Sequence, residues 1–449
     1  MANGAPTVAD GGHQSSAALA PPVGGIGRYR WVICGLLFFA TTINYIDRQI
    51  LSLLKPILDD ELHWTNAQFG DVNAYFQLAY AGGLLLFGAF IDRFGTRIGY
   101  AVSIAAWSVA AIGHSFVHSV SGFFTARIAL GLGEGGNFPS AIKAVALWFP
   151  RRERALATAL FNSGTNVGAI VAPAVIPSLA LTWGWRSAFV AAGVAGFIWL
   201  LLWLPFYDVP EKIARLSREE MAHIRSDADA PAPSARIGWL HILSYRQAWG
   251  FILAKFLTDP VWWFFLIWLP DFFKKTRGLD IKSSAVYLVT IYAIVSALSI
   301  AGGWLTGYLT RRGFTVNRAR KTSMLFFALC VLPVWAVGQV GSWGAVLLIG
   351  LAGAAHQAWS ANLFTTASDM FPKRAVASVV GLGGMAGSIG GYFFPKFAGR
   401  LLDRFQATGN VAAAYSILFA ICGSAYLVAY ALNHLLAPRF EPVELSERG

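Results

Sequence analysis

The chain has 449 residues, 56% of them hydrophobic and only 13% charged, about half the charged share of a soluble domain. Its apolar residues come in runs such as Trp31–Ala40, Ala79–Ile91, Ala188–Leu204 and Ala345–Ala355, which excludes a soluble globule and reads as membrane spans of roughly 20 residues. The net charge of +12 does not point to nucleic acid, because the basic residues gather in short loops on one side of those spans.

Twelve spans are predicted, near 30–54, 66–91, 97–116, 121–147, 155–178, 187–206, 246–273, 283–310, 322–338, 343–369, 375–402 and 411–436. The expectation is an all-α polytopic membrane protein, multi-pass in a bacterial inner membrane and surrounded by lipid, with no room for a soluble domain. With both termini placed in the cytoplasm, 22 of the 35 Lys and Arg lie on the inner side. Seven lie outside: Lys55, Arg186, Lys274, Lys275, Arg277, Lys282 and Arg404. That asymmetry sets the orientation.

The first 27 residues are rich in Ala, Gly and Pro and lack the pattern of a cleaved signal peptide, so 1–27 reads as a disordered cytoplasmic tail. A six-helix bundle follows at 28–206. Residues 207–245 form a polar linker, with one amphipathic helix expected at 217–226. A second six-helix bundle occupies 246–436, and 437–449 is a short tail. Cys34, Cys330 and Cys422 each stand alone in an apolar span, so neither disulfide nor metal spacing exists.

Along the chain, span one carries Tyr45, Asp47 and Arg48, and span two Gln77 and Tyr80. The turn after span two reads Gly88-x-x-x-Asp92-Arg93-x-Gly95-x-Arg97. There the glycines let helices approach and Asp92 can accept from a helix N-terminus across the loop, a gating role for Asp92 and Arg93. Span four carries Arg127 and Glu134 among the small-residue positions Gly131 and Gly135. Gly131-x-Gly133-x-x-Gly136 mimics a dinucleotide fingerprint but lies inside an apolar helix and follows no strand. No Walker, H-E-x-x-H or G-x-S-x-G sequence occurs, so neither an enzyme nor a cofactor is expected. Span five offers Asn162, Thr165 and Asn166. In span seven, Lys255 and Asp259 precede Pro260, Trp262 and Trp263, where a helix break is expected; Asp259 is a gating candidate, and a gating kink and a substrate contact both fit this stretch. Gly307-x-x-x-Arg311-Arg312-Gly313 repeats the turn motif with Arg for Asp, and span ten offers His356, Gln357, Trp359, Ser360 and Asn362.

An internal repeat relates the two bundles. Trp148-Phe149-Pro150-Arg151-Arg152 recurs as Met370-Phe371-Pro372-Lys373-Arg374, and the same offset carries Gly168 onto Gly390, Pro173 onto Pro395 and Glu134 onto His356. Parallel six-span repeats of this kind resemble the build of the major facilitator superfamily, whose substrate site lies at midplane between the halves.

Charges inside spans carry the functional reading, since each costs about 2.5–3.5 kcal/mol on insertion scales. Helical rise places Asp47 and Arg127 at similar depth, about 9 Å below the outer surface, so an Asp47–Arg127 pair is expected. Glu134 lies two turns further on the same face. Arginine keeps its charge and grips a carboxylate through two parallel hydrogen bonds. Desolvation favours a neutral carboxyl and a neighbouring Arg the charged one, so an anion captured by the Arg would couple to proton uptake at the acid. Asp47 and Glu134 are therefore the proton-coupling candidates. Tyr45, Arg48, Tyr80, Arg127, Asn162, Thr165, Asn166, His356, Gln357, Trp359 and Asn362 are the substrate-binding candidates.

Asn44-Tyr45-Ile46-Asp47-Arg48, Glu134-Gly135-Gly136-Asn137-Phe138-Pro139 and Trp148-Phe149-Pro150 resemble the anion:cation symporter family of that superfamily. Leu257–Trp263 and His356–Asn362 look most like its bacterial hexuronate transporters. The resemblance covers about 28–436. It implies proton-linked carboxylates at Asp47 and Glu134 and substrate contacts at Arg48, Tyr45 and Tyr80. It also implies a monomeric symporter of a sugar-acid anion such as glucuronate or galacturonate. Thr165 stands where galactonate-carrying relatives have Gln, and the Gly-rich stretch 381–391 where relatives carry an Asn.

Overall fold

Thr65 starts the second long helix through a reciprocal cap: its hydroxyl accepts from the Gln68 N–H, and the Gln68 side chain accepts from the Thr65 N–H. Caps like this, and Gly278 in the left-handed region after the seventh span, punctuate what is otherwise continuous helix. The computed structural model describes residues 27–226, 239–299, 301–441 and 443. The expected tail over 1–26, the linker stretch 227–238 and the end of the C-terminal tail lie outside the described residues, and no strand occurs among those described.

The first half contains α1 (Tyr29–Leu62), α2 (Asn66–Phe94), α3 (Thr96–Gly113), α4 (Val120–Glu134), α5 (Asn137–Trp148), α6 (Arg151–Asn162), α7 (Gly164–Trp183) and α8 (Arg186–Phe206). In the linker, α9 (Arg218–Ile224) forms where the amphipathic helix was expected, followed by α10 (Trp239–Leu243). The second half contains α11 (Arg246–Arg277), α12 (Ile281–Ser299), α13 (Ala301–Arg311), α14 (Val316–Val331), α15 (Ser342–Met370), α16 (Lys373–Ala407) and α17 (Val411–Leu436). Span four is thus α4 and α5 in series, broken at Gly135–Gly136, and span five is α6 and α7, broken at Ser163. Among the described residues, nine helical segments are long and apolar enough to cross a membrane. The stretches expected as spans four, ten and eleven are helical too, but they carry polar side chains such as Arg127, Glu134, His356 and Lys396.

Two expectations need correction. Pro260 does not break span seven: α11 runs through it. A proline leaves the carbonyl four residues back without its helical partner, here that of Phe256. Gly390 of α16 lies against that carbonyl, so close that an added Cβ would sit 2.3 Å from the oxygen. Span one also does not end near 54. It continues to Leu62, so Lys55, counted with the outer loop, is a buried helical residue at 1% exposure.

The repeat is visible in local geometry. Pro150 and Pro372 are the extended N-caps of α6 and α16. Gly168 meets the Thr42 carbonyl of α1 as Gly390 meets that of Phe256 in α11. The core is distributed unevenly. One apolar cluster runs through the second half into the α1–α2 turn region of the first, while a separate cluster around Ile33, Trp107, Trp148 and Trp203 belongs to the first half alone. The halves therefore share a core near the turn at 62–66 (the first-loop end) and keep separate cores at the opposite, linker end.

A candidate anion site at the centre of the bundle

Arg48 is the hub. It lies midway along α1, and its Nε donates to Glu134 Oε2 at 2.6 Å. Four rings surround the guanidinium, with its carbon 4.3 Å from the Tyr80 ring centre, 5.3 Å from Tyr45, 5.5 Å from Phe76 and 5.3 Å from Trp263. Ring faces are electron-rich and attract a cation, most strongly where water is excluded. Three of these rings belong to the first half. Trp263, from α11, closes the cage from the second.

Local sequence explains how the acid arrives there. Gly131 and Gly135 press α4 onto the backbone of α2 at Phe76 and Gly83, where a Cβ would overlap main-chain atoms. That close approach delivers Glu134, the last residue of α4, fully buried, to Arg48. Arg127, two turns earlier, lies 5.0 Å over Phe76. It donates through Nη2 to the Arg48 carbonyl at 3.1 Å and to Asn73 Oδ1 at 3.4 Å.

The expected Asp47–Arg127 ion pair does not form within 4.0 Å among the described residues; the pair present is Arg48–Glu134. Rotation decides the pairing: neighbouring residues on a helix point about 100° apart, and Arg48, not Asp47, is aimed at Glu134 of α4. Asp47 is buried with neither carboxylate oxygen hydrogen-bonded, within Coulombic reach of both Arg127 and Glu134.

The other candidates divide. Gln77 is buried, its Oε1 lacks a partner, and its Cγ lies near Gly391 of α16. Asn162, Thr165 and Asn166 flank the helix break at Ser163. In α15, His356 faces the interior of the second half: its Nδ1 shares a 2.6 Å hydrogen bond with the Tyr426 hydroxyl and its ring stacks on Trp262. Trp359 is buried against Tyr426, Asn362 accepts from Thr306 at 2.6 Å, and Gln357 is half-buried. Asp259 pairs with Lys255 at 2.7 Å, one turn back on α11. Asp92 accepts from Lys143 of α5 at 2.8 Å rather than from a helix N-terminus, and Arg93 lies over Phe94.

Sequence reasoning missed a clasp between the halves at the first-loop end. Lys55 bridges Asp59, at 2.7 Å in its own helix, and the fully buried Asp271 of α11, at 2.9 Å. Tyr415 also donates to Asp271, and Lys275 pairs with it. Asp403 of α16 receives the backbone N–H groups of Asn66 and Ala67 at the start of α2, and Lys396 pairs with Asp71 at 3.1 Å. Among the described residues, the ion pairs between the halves all fall at this end. The available signal was a lone acid inside the apolar run 261–273 and charges at 71 and 396 inside predicted spans.

A family model described as the Major Facilitator Superfamily matches residues 37–395. The chain belongs to this superfamily. This major facilitator protein is 31% identical over 401 residues to the hexuronate transporter of Escherichia coli K12, covering 87% of this chain and 92% of that one. It is 30% identical over 314 residues to the galacturonate transporter of Dickeya chrysanthemi, covering 69% and 91%. The crystal structure of a D-xylose–proton symporter superposes with a TM-score of 0.73 at 17% identity over 92% of this chain and 99% of that one, a likeness of fold. The all-helical, multi-pass architecture expected from the sequence is therefore that of a membrane transporter family.

Proposed function

We propose that the chain is a proton-coupled symporter that imports a hexuronate such as glucuronate or galacturonate by alternating access. The observation that carries this reading is the buried Arg48–Glu134 pair inside an aromatic cage contributed by both halves. A sugar-acid carboxylate can replace Glu134 on the guanidinium and gain parallel charge-assisted hydrogen bonds. Glu134, deprived of its counter-charge at 0% exposure, then takes a proton, because an unpaired buried carboxylate is costly. Asp47, already without a hydrogen-bond partner, is the second proton site. With both acids carrying protons, a monoanion crosses with net charge +1 and draws about 2.3 kcal/mol per 100 mV of membrane potential. Rings at Tyr45, Tyr80 and Trp263 are placed to stack on the pyranose face.

In this reading the chain crosses an inner membrane twelve times as a monomer, as a six-helix bundle at 28–206 and another at 246–436. The linker end and both termini are cytoplasmic, as the basic residues favour. The clasp is then the outer gate, closed here. No catalytic activity is assigned. Glutarate- or glucarate-like dicarboxylates form the second reading, favoured by Arg127, whose Nε and Nη1 have no hydrogen-bond partner and suit a second carboxylate.

The test is uptake of labelled sugar acids by proteoliposomes, with and without an imposed pH gradient. Glu134→Gln is expected to keep substrate exchange and lose accumulation driven by the gradient. Unimpaired uphill uptake by that variant would remove Glu134 from coupling.

A further inference from the structure

The second half repeats the turn motif with Arg311 where the first half has Asp92, and the two are treated differently. Asp92 is satisfied from within its own half by Lys143, at 2.8 Å. Arg311 is exposed, has no hydrogen bond or ion pair among the described residues, and borders a cavity of about 440 Å³ between α13, α14 and α15 at the linker end. That volume lies within the roughly 300–1,000 Å³ of ligand sites. Arg320, Thr306, Thr310 and Asn362 also border it, most of its exposed wall is apolar, and no acidic residue lines it. Asp369, which pairs with Arg320, stands outside the lining. Arg320 also donates to the Thr365 hydroxyl. Asp369 already neutralises Arg320 and the threonine hydroxyls donate within the protein, so Arg311 is the cation at this cavity left without a partner among the described residues.

We propose that this cavity binds an oxyanion, the phosphate of an anionic phospholipid headgroup. The neighbouring face of α13 supplies the reason for a lipid source. Trp304, 58% exposed, stacks on Tyr308 at 5.1 Å, and Arg312 lies 5.2 Å over the Tyr308 ring. Trp304, Tyr308 and Arg311 follow at i, i+4 and i+7, along one side of the helix. Aromatic residues followed by arginines mark a helix passing from acyl chains into headgroups, and basic pockets between spans collect anionic headgroups. The site is separate from the Arg48 cage and stands whether or not hexuronate is the substrate.

The experiment compares the thermal midpoint of the full chain in nanodiscs of phosphatidylcholine alone and of phosphatidylcholine with phosphatidylglycerol. A parallel arm adds inorganic phosphate to the phosphatidylcholine sample, and native mass spectrometry counts retained phosphatidylglycerol. Phosphatidylglycerol is expected to raise the midpoint of the parent chain. Arg311→Gln should retain about fivefold less of it, the weight of one basic residue at a membrane surface, and lose most of the shift. Arg311→Lys should keep both, which separates loss of charge from loss of fold. An equal shift and equal retention in Arg311→Gln would overturn the site. An Arg311-dependent shift with inorganic phosphate alone would overturn the lipid source.

Discussion

Lys55→Met is the sharpest perturbation of the clasp. Lys55 and Asp271 are 1% and 0% exposed at their side chains and join α1 to α11 across the two halves. Removing one partner of a buried ion pair costs about 3–5 kcal/mol. Lys275, at 3.3 Å, and the Tyr415 hydroxyl still serve Asp271, so the low end, about 3 kcal/mol, is expected. The cost falls on the state in which the first-loop end is closed, because separated halves let Asp271 hydrate. About 3 kcal/mol is more than a hundredfold in an equilibrium constant, enough to reverse a modest preference for this closed state. Pulsed electron resonance between spin labels at Leu62→Cys and Thr408→Cys, with Cys34, Cys330 and Cys422 replaced by Ala, should show a longer-distance population in Lys55→Met. The pair Lys55→Met with Asp271→Leu should recover much of the short distance, since an apolar replacement of both partners is often nearly neutral. An unchanged distance distribution in Lys55→Met alone would refute the clasp as a gate.

Other outcomes follow from the same geometry. Gly70→Ala places a Cβ 2.3 Å from the Pro395 carbonyl across the halves; overpacking costs about 1–3 kcal/mol, and the same label pair should move apart. Arg48→Lys keeps a positive charge but loses the planar fork, so substrate affinity measured by calorimetry should fall at least about tenfold, near the 1.4 kcal/mol worth of one charge-assisted hydrogen bond. At the linker end, burial pushes the Glu153 carboxyl up, but hydrogen bonds from Arg30 and His223 outweigh it and hold the group below its ordinary 4.5. The stability this adds is present above that value and disappears as the pH falls through the lower, folded-state value. Hydrogen exchange in 218–224 should therefore be unaffected by pH from about 7 to 5, apart from its intrinsic rate, and lose protection in stronger acid. Glu153→Gln should show the loose behaviour throughout.

The fold was legible because long apolar runs, a recurring Phe-Pro-basic turn and the glycine ridges are periodic features, written locally. Within the site, Tyr45, Arg48, Tyr80, Arg127 and Glu134 were legible as polar groups that lipid would not tolerate, and they do gather. Their pairing was not. Helical rise fixes depth, but which of Asp47 and Arg48 meets α4 depends on the rotation of α1, against which Gly164 and Gly168 of α7 pack at Phe38, Thr42 and Tyr45. The clasp was missed for a different reason. Lys55 sits just past the predicted end of span one, where a charge reads as loop unless its partner, more than two hundred residues away in sequence, is known. Repeat symmetry aligned His356 with Glu134; its ring stacks on Trp262, next in sequence to the Trp263 that closes the cage.

The length of α16 has a mechanical consequence. Its 35 residues extend about 52 Å, well beyond the hydrocarbon thickness of about 30 Å. It is braced on α11 from Gly383 to Gly391, meets Gln77 of α2 at Gly391, and grips α2 from Pro395 to Gln406. Under the alternating access proposed above, releasing the grip on α2 would let α16 pivot on this glycine fulcrum. The glycine fulcrum adjoins Trp263, so displacement of the ring that caps Arg48 is delivered where a small push turns the helix through its largest arc.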